Sequence, residues 1–350
     1  MKTHTTSPKV ASTIRSPRAP RGSIPSPPLA SIPTQAKGIC IGTYDIADCR
    51  IRWSKTALAS LGWTSSHAAY RPTSGGQSVH EEQAPAWVVD PGTPSVARMY
   101  DYYLGGKDNF ASDREAAEKI ISILPNARDV ARTNRAFLMR AVRHLARAGI
   151  RQFLDIGTGL PTQENVHQVA QAEAPDSRVV YVDNDPIVLA HARALLADNP
   201  RSIVINGDLR KPESILGHPG VLTHLDFTKP IALIMLAVLH FVTDDAEAAR
   251  VVGAFREPLV PGSHLVVSHI SQGDLDEDAV RRGRDVYTAT TAGGIVPRTR
   301  DQVRGFLDGL HMLEPGVVPL HLWRPEAVEP AWDGKPGGGI IGGVGLVPGP

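Results

Sequence analysis

Phe153-Leu154-Asp155-Ile156-Gly157-Thr158-Gly159-Leu160-Pro161-Thr162 is the stretch whose reading decides the fold: an apolar strand runs into an acid and then into two alternate glycines. Glycine opens backbone conformations closed to residues with a Cβ and lets a ligand approach the main chain. Asp155 would then stand at the carboxyl edge of a strand, where open α/β sheets bind their ligands. The same pattern can also be a structural device, a glycine turn with a capping acid, so the residues that follow carry the decision.

Working outward, the chain alternates as βαβ units do. Gln163 to Ala174 reads as a crossover helix, and Arg178-Val179-Val180-Tyr181-Val182 as a second strand whose near-continuous apolar run suits a parallel strand covered on both faces. It ends in Asp183-Asn184-Asp185-Pro186, with Asp185 placed as an N-cap and Pro186 as the first residue of a helix over Ile187 to Leu196. Ser202 to Asn206 gives a third strand, ending in Gly207-Asp208-Leu209. Pro230 to Leu236 gives a fourth, running into Ala237-Val238-Leu239-His240-Phe241. A helix from Asp245 to Phe255 leads to a fifth strand, His264 to Ile270. Met312 to Val318 and Ile340 to Val347 are too close in the chain for a crossover helix and predict an antiparallel pair at the sheet edge.

Three successive strands thus end in an acid: Asp155, Asp183 and Asp208. A parallel sheet puts these ends on one side, so the three carboxylates are expected to line one cleft. An acid at the second strand's end suits a ribose, because a carboxylate can accept from both hydroxyls, each such bond contributing about 1.5 to 3 kcal/mol. Asp208 could accept from an adenine amino group with Leu209 against the base, and Asp155 could attract a cationic group. Each acid alone could equally be a cap or turn residue.

Upstream, Val96, Met99, Tyr100, Tyr103 and Leu104 mark one face of a helix that Gly105-Gly106 ends. Lys107 after these glycines does not make a phosphate loop, since the earlier glycine and the following Ser or Thr are missing. Ser112-Asp113-Arg114-Glu115 resembles a capping box opening a second helix. Arg128 to Ala148 reads as a long helix with Val130, Phe137, Leu138, Ala141, Val142 and Leu145 facing the core. Arg132, Arg135, Arg143 and Arg147 on its other side read as a solvated face; the sharper alternative has Arg132 or Asn134 reaching the ligand pocket.

Residues 1–84 are rich in Ser, Thr, Pro, Arg and Gly and are expected to form an extension without a core, followed by a single domain over 85–350 in which 94–148 form an N-terminal helical cap. The 350 residues carry a formal net charge of +1, which gives no electrostatic case for nucleic acid or an anionic membrane. The two cysteines, Cys40 and Cys49, fall in the extension, arguing against a disulfide framework or a Cys-based zinc site, and no metal is expected. No apolar run of membrane-spanning length and no secretory signal core is visible, so a soluble protein of the cytoplasm is expected.

Asp155-x-Gly157-x-Gly159, Asp183, Asp208-Leu209 and Val238-Leu239-His240 resemble the successive motifs of class I S-adenosylmethionine-dependent methyltransferases. More narrowly, Ala97 to Phe110, together with Phe153 to Thr162 and Tyr181 to Pro186, is similar to the bacterial S-adenosyl methyltransferase family known as DUF574, over roughly Pro94 to Pro348. The resemblance implies an α/β, Rossmann-like fold with a seven-stranded, mostly parallel sheet of order 3-2-1-4-5-7-6, helices on both faces, and S-adenosyl-L-methionine over the first two strands. Carried over by position, Asp155, Gly157 and Gly159 meet the methionine part, Asp183 the ribose, and Asp208 and Leu209 the adenine. Thr158, Asn184 and Ala237 on the same turns, with Asn109 and Asn134, complete the expected cofactor contacts. The third glycine of the general motif is Pro161 here, leaving close backbone approach to Gly157 and Gly159. The segment Lys107 to Phe110 is placed as a lid.

Methyl transfer from a sulfonium is an in-line displacement, in which alignment supplies much of the acceleration. His240 is the candidate base for an acceptor that must lose a proton, because histidine titrates near neutrality; a histidine of the pocket wall is the alternative. His269 is a second candidate. The acceptor is expected to be a small molecule. Two other functions compete: a non-catalytic S-adenosylmethionine-binding protein, and an NAD-dependent oxidoreductase, whose fingerprint would need a glycine where Thr162 stands. Gln272 to Arg300, with Tyr287 and Gly293-Gly294, lie where an insertion could shape the substrate site.

Overall fold

In the computed structural model, residues 89–161, 164–326 and 339–349 are described. The expectations for the N-terminal extension, the two cysteines, Thr162 and Gln163 therefore lie outside the described residues. The apolar runs form parallel strands: β1 (Gln152–Ile156), β2 (Arg178–Asp183), β3 (Ser202–Asn206), β4 (Ala232–Leu236) and β5 (His264–Ser271). All five residues of β1 and of β4 are buried, as strands covered on both faces require. Asp155 pairs in register with Tyr181 on β2 and Ile234 on β4, and Asp183 with Asn206 on β3, which fixes the strand ends along one edge.

The far edge departs from expectation. Among the described residues the sheet has eight strands in the order β3-β2-β1-β4-β5-β8-β6, with β7 off this path and paired to β8. The strand expected over Met312 to Val318 is two short pieces, β6 (His311–Met312) and β7 (Val318–Pro319), each antiparallel to β8 (Gly339–Leu346). Between them the chain turns, with Gly316 N donating to Leu313 O, so a continuous ladder cannot form. The long antiparallel partner expected next to β5 is β8 itself, in register from His264 with Leu346 to Ser271 with Gly339.

Among the described residues, three helices precede the sheet: α1 (Val96–Leu104), α2 (Ala111–Ile123) and α3 (Ala127–Arg147). Gly105, left-handed at φ 85°, ends α1 as expected. Helix α2 begins earlier than Ser112: Phe110 is its cap residue, and the Asp113 carboxylate accepts from Phe110 N at 2.7 Å, so the acid three residues on, not the serine, closes the first turn. The crossover helices are α4 (Val166–Glu173), α5 (Pro186–Leu195), α6 (Pro212–Leu216), α7 (Pro219–His224) and α8 (Asp245–Arg256), followed by α9 (Glu277–Thr288) and α10 (Arg300–Gly305). Asp185 caps α5, accepting from Ile187 N at 2.8 Å with Pro186 in the first turn, an arrangement that contributes about 1 kcal/mol.

Two cores sandwich the sheet. One includes Leu154, Val182, Leu233, Val251 and Phe255, the other Phe137, Leu145, Phe153, Ile234 and Trp323. A third, separate cluster holds α1 to α3 together through Met99, Tyr103, Ala117, Ile120 and Ala131, with Tyr287 of α9 packed against it. Arg98 anchors that helical layer to the sheet. Its guanidinium reaches Asp113 at 2.8 Å and Asp185 at 3.3 Å, and the Ser95 hydroxyl also donates to Asp185. Arg98, Asp113 and Asp185 are all buried, and removing one partner of such a buried network costs about 3 to 5 kcal/mol.

Candidate active site

The turn after β1 is held by β2. Gly157 N and Thr158 N both donate to Val182 O, at 2.8 and 3.2 Å, and Gly159 N donates to Asp183 Oδ2 at 2.8 Å. Gly157 and Gly159 have φ of 71° and 66°, a region that disfavours side chains. Their surroundings differ. A Cβ on Gly157 would lie 2.5 Å from Val238 Cγ2, whereas one on Gly159 would meet nothing within 4 Å. The first glycine lets the turn close against the loop after β4, and the second leaves room in the pocket.

Asp155, Asp183 and Asp208 line the same pocket, with Thr158, Asn184 and Leu209. Burial pushes Asp155 up to about 6, opposed by the Thr158 hydroxyl, which donates to Oδ2 at 2.9 Å, and by Arg135, and reinforced by the Asp183 charge. Asp183 is also pushed up to about 6 by burial, against the backbone N–H groups of Asp185 and Gly159. Both therefore lack a cation strong enough to offset their burial. Asp208 is different: burial raises it, but Arg210, with Nε 3.0 and 3.2 Å from the two carboxylate oxygens, outweighs burial and holds it below the usual range.

Asn134 joins the helical layer to the pocket. Its Nδ2 donates to the Tyr100 hydroxyl at 2.9 Å, its Oδ1 accepts from Ser268 Oγ at 2.6 Å, and Ser268 Oγ accepts from Ala237 N at 2.9 Å. Ala237 sits at φ 53°, a strained value for a residue with a Cβ, and this chain of bonds holds it there. Asn134 and Ala237 both line the pocket, and Arg135 lines it beside them, donating to Glu164 O at 3.2 Å. Arg132 does not reach it: it is exposed and paired with Asp129.

His240 lies in the 3-10 turn Leu239–Phe241 after β4 and lines the pocket, only 4% exposed. Its Nδ1 is buried without a hydrogen-bond partner among the described residues, whereas Nε2, which makes no hydrogen bond among them either, is not sealed off and is the nitrogen accessible from the pocket. Burial, then the neighbouring His269 and Arg298, push it well below the ordinary histidine value. Titration near neutrality, the ground on which sequence singled it out, is therefore not a property of this ring, which stays neutral through the physiological range. His269 is fully occupied. Its Nδ1 lies 2.7 Å from Ile270 O and its Nε2 3.0 Å from Arg298 Nη1, which leaves no lone pair for a substrate proton. The buried Arg298 also donates to Leu239 O and Val242 O, at 3.1 and 2.8 Å, bracketing the turn that carries His240 and Phe241.

Beyond His240 the pocket continues as an apolar annex. Phe241 and Tyr287 have ring centroids 5.9 Å apart, and the Tyr103 and Tyr287 hydroxyls approach at 3.4 Å; Ile120, Leu124 and Val280 line the same space. Asp276 caps α9, accepting from Ala279 N at 2.7 Å, and Ala279, Val280, Gly283 and Tyr287 then face the pocket. That spacing is helical and was available to sequence reasoning within Gln272 to Arg300. Arg298, Arg135 and Ser268 were not separable by pattern from surface or strand residues.

Asn109 is the expected cofactor residue that the structure does not bring to the pocket. Its Nδ2 donates to Asp101 Oδ2 at 2.7 Å and to Gly106 O at 3.1 Å, and Arg114 donates to its Oδ1 at 3.1 Å. The amide is spent on holding the turn after α1, and the residue is outside the pocket lining.

A family model described as S-adenosyl methyltransferase matches residues 82–348. The chain is similar to the crystal structure of a DUF574 family protein from Streptomyces avermitilis, with 41% identity over 73% of this chain and 98% of that one and a TM-score of 0.67. It is equally similar to a provisionally assigned methyltransferase from Thermobifida fusca, with 40% identity over 77% of this chain and 100% of that one and a TM-score of 0.68. No match was found among curated proteins. With its strand ends, glycine turn and pocket arranged as described and the match spanning most of its length, the chain belongs to the S-adenosyl methyltransferase family, whose cofactor is S-adenosyl-L-methionine.

Proposed function

We propose that this protein transfers the methyl group of S-adenosyl-L-methionine to a small-molecule acceptor seated in the annex. The observation that carries this reading is the continuity of one pocket, from acids at the strand ends to an apolar chamber under α1 to α3 and α9, with His240 lining it between Ala237 and Phe241. The residues fit the cofactor. Gly159 leaves open space for close approach, and Asp155 has one carboxylate oxygen without a hydrogen bond among the described residues, suited to a cationic group. Asp183 would take the ribose hydroxyls beside its two backbone donors, and Leu209 and Asp208 the adenine. When bound, the cofactor supplies a methyl carbon activated by an attached sulfonium.

The protein's contribution is chiefly alignment, which can supply about 7 to 11 kcal/mol in favourable cases. His240 Nε2 contacts the acceptor's reacting group, orients it, and takes its proton where one must leave. A net charge of +1 and a roofed pocket favour a small acceptor over a nucleic acid. The test is incubation with methyl-labelled S-adenosylmethionine and a cell extract. Label in a small-molecule fraction is the expected result. Label confined to macromolecules would overturn the acceptor class, and cofactor binding without any transfer would make the protein a non-catalytic binder.

A further inference from the structure

The annex differs from the cofactor end in its chemistry. All four carboxylates of the pocket lining, Asp155, Asp183, Asp185 and Asp208, come from the strand-end turns. The charged residue that α9 adds to the lining is a cation, Arg284. An acceptor that enters as an ammonium ion would find no counter-charge there, and an unpaired charge in such a site is costly.

The polar groups of the annex are few, and two observations define what they await. Tyr103 and Tyr287 carry two O–H donors, and their mutual contact is the hydrogen bond formed by either hydroxyl among the described residues. One O–H is therefore left without an acceptor, on buried or half-buried side chains lining a mainly apolar chamber. At the other end, His240 makes no hydrogen bond through Nε2 among the described residues, and its Nδ1 is buried and unpartnered there. Between them runs an aromatic wall: the His240 and Phe241 rings lie 4.4 Å apart by centroid, and Phe241 and Tyr287 5.9 Å. A flat ring system can add an offset or edge contact to such a wall, each worth about 0.5 to 1.5 kcal/mol beyond area burial.

We infer that the methyl acceptor is a hydroxylated aromatic small molecule, with its ring against Phe241 and Tyr287, one oxygen on the Tyr103–Tyr287 hydroxyl pair and the hydroxyl to be methylated at His240 Nε2. This rests on the methyltransferase reading and specifies its substrate. A hydroxyl donates to Nε2 of the neutral His240 ring when the ring proton is on Nδ1, the tautomer the transfer uses. In the transfer, the acceptor's O–H proton passes to His240 Nε2 and the acceptor oxygen bonds to the methyl carbon. The breaking carbon–sulfur bond leaves its electron pair on sulfur, so that a sulfonium becomes a neutral thioether and the hydroxyl a methyl ether.

The full chain saturated with S-adenosylhomocysteine is titrated calorimetrically with three probes of similar size: naphthalene-2,6-diol, (6-hydroxy-2-naphthyl)methylammonium and decahydronaphthalene-2,6-diol. Binding of naphthalene-2,6-diol is expected to be about tenfold tighter than that of either competitor. Tyr287→Phe and Phe241→Leu should each weaken naphthalene-2,6-diol about three- to tenfold while S-adenosylmethionine affinity stays within about twofold. No preference for naphthalene-2,6-diol over the other two, or unchanged affinity for it in both variants, would overturn this inference while leaving the methyltransferase reading intact. Failure of the wild-type chain to bind S-adenosylmethionine would overturn that reading, and this inference with it.

Discussion

The two ends of the pocket are built from different materials. At the strand ends, short turns of β1 to β3 present backbone N–H groups, two glycines and carboxylates, all within a continuous stretch of the chain from Asp155 to Arg210. The annex is assembled from side chains on α1, α2, the turn after β4 and α9, spread from Ala97 to Tyr287. Its walls come from helices that pack through their own small core rather than through the sheet. Under the proposed function a nucleoside would be recognised by groups that cannot vary without breaking the turn, and the acceptor by helix faces that can.

The largest expected effect lies at the strand ends. Asp183→Ala removes two ribose contacts of about 1.5 to 3 kcal/mol each, so the Kd for S-adenosylmethionine should rise about 100-fold or more, measured by calorimetry, with probe binding in the annex little changed. His240 should separate the two ends in kinetics. His240→Ala is expected to lower kcat about 100-fold at unchanged cofactor Kd, and His240→Gln to recover little of it, since an amide can orient a hydroxyl but not take its proton. Full turnover of the Gln variant across pH 6 to 9 would leave His240 as wall only.

The paired glycines give a sharper contrast. Gly157→Ala forces a Cβ onto Val238 at a positive φ and should destabilise the fold by about 2 to 4 kcal/mol. Gly159→Ala carries only the backbone strain, about 1 to 2 kcal/mol, yet should weaken the cofactor about tenfold because its methyl group enters the ligand's space. Thermal melting and calorimetry on both variants test this; equal losses of stability would contradict it.

Acidity probes the same end more gently. Asp155 and Asp183 are raised from 3.8 to about 6, so between those values the folded chain holds protons that the unfolded chain has released. Stability of the free protein should therefore fall as pH rises through about 4 to 6 and level off above. Cofactor affinity should move the other way, rising as the carboxylates ionise and flattening above about pH 7. Asp208, held low by Arg210, contributes nothing in this window. The smallest effect is expected at Asn109, whose replacement by Ala should leave cofactor affinity within about twofold, since its amide holds only the turn after α1.

The same contrast explains what could be read in advance. The strands, the three acids and Asp185 as a cap were legible because apolar runs, strand-end acids and Asp-Pro have local physical meaning, whereas the strand order through β5 came from the family resemblance. Asn134 was legible as one of two alternatives, and the structure chose it over Arg132. Asn109 misled because a polar side chain next to a glycine turn can face a ligand or its own loop, and the Asp101 carboxylate that captures it is eight residues away on α1. The split of the last expected strand depends on a turn at Gly316 whose hydrogen bond no periodicity reports. Arg298 is a buried hub because the carbonyls of Leu239, Val242 and Asp244, the Asp245 carboxylate and His269 converge on it in space, from 29 to 59 residues away.

The most direct test is a crystal structure of the full chain grown at saturating S-adenosylhomocysteine. The ribose hydroxyls are expected on Asp183, the amino acid end over Gly157 to Gly159 near Asp155, the adenine beside Leu209, and the sulfur turned toward His240. Ligand bound away from these side chains, or no ligand at saturation, would contradict this placement.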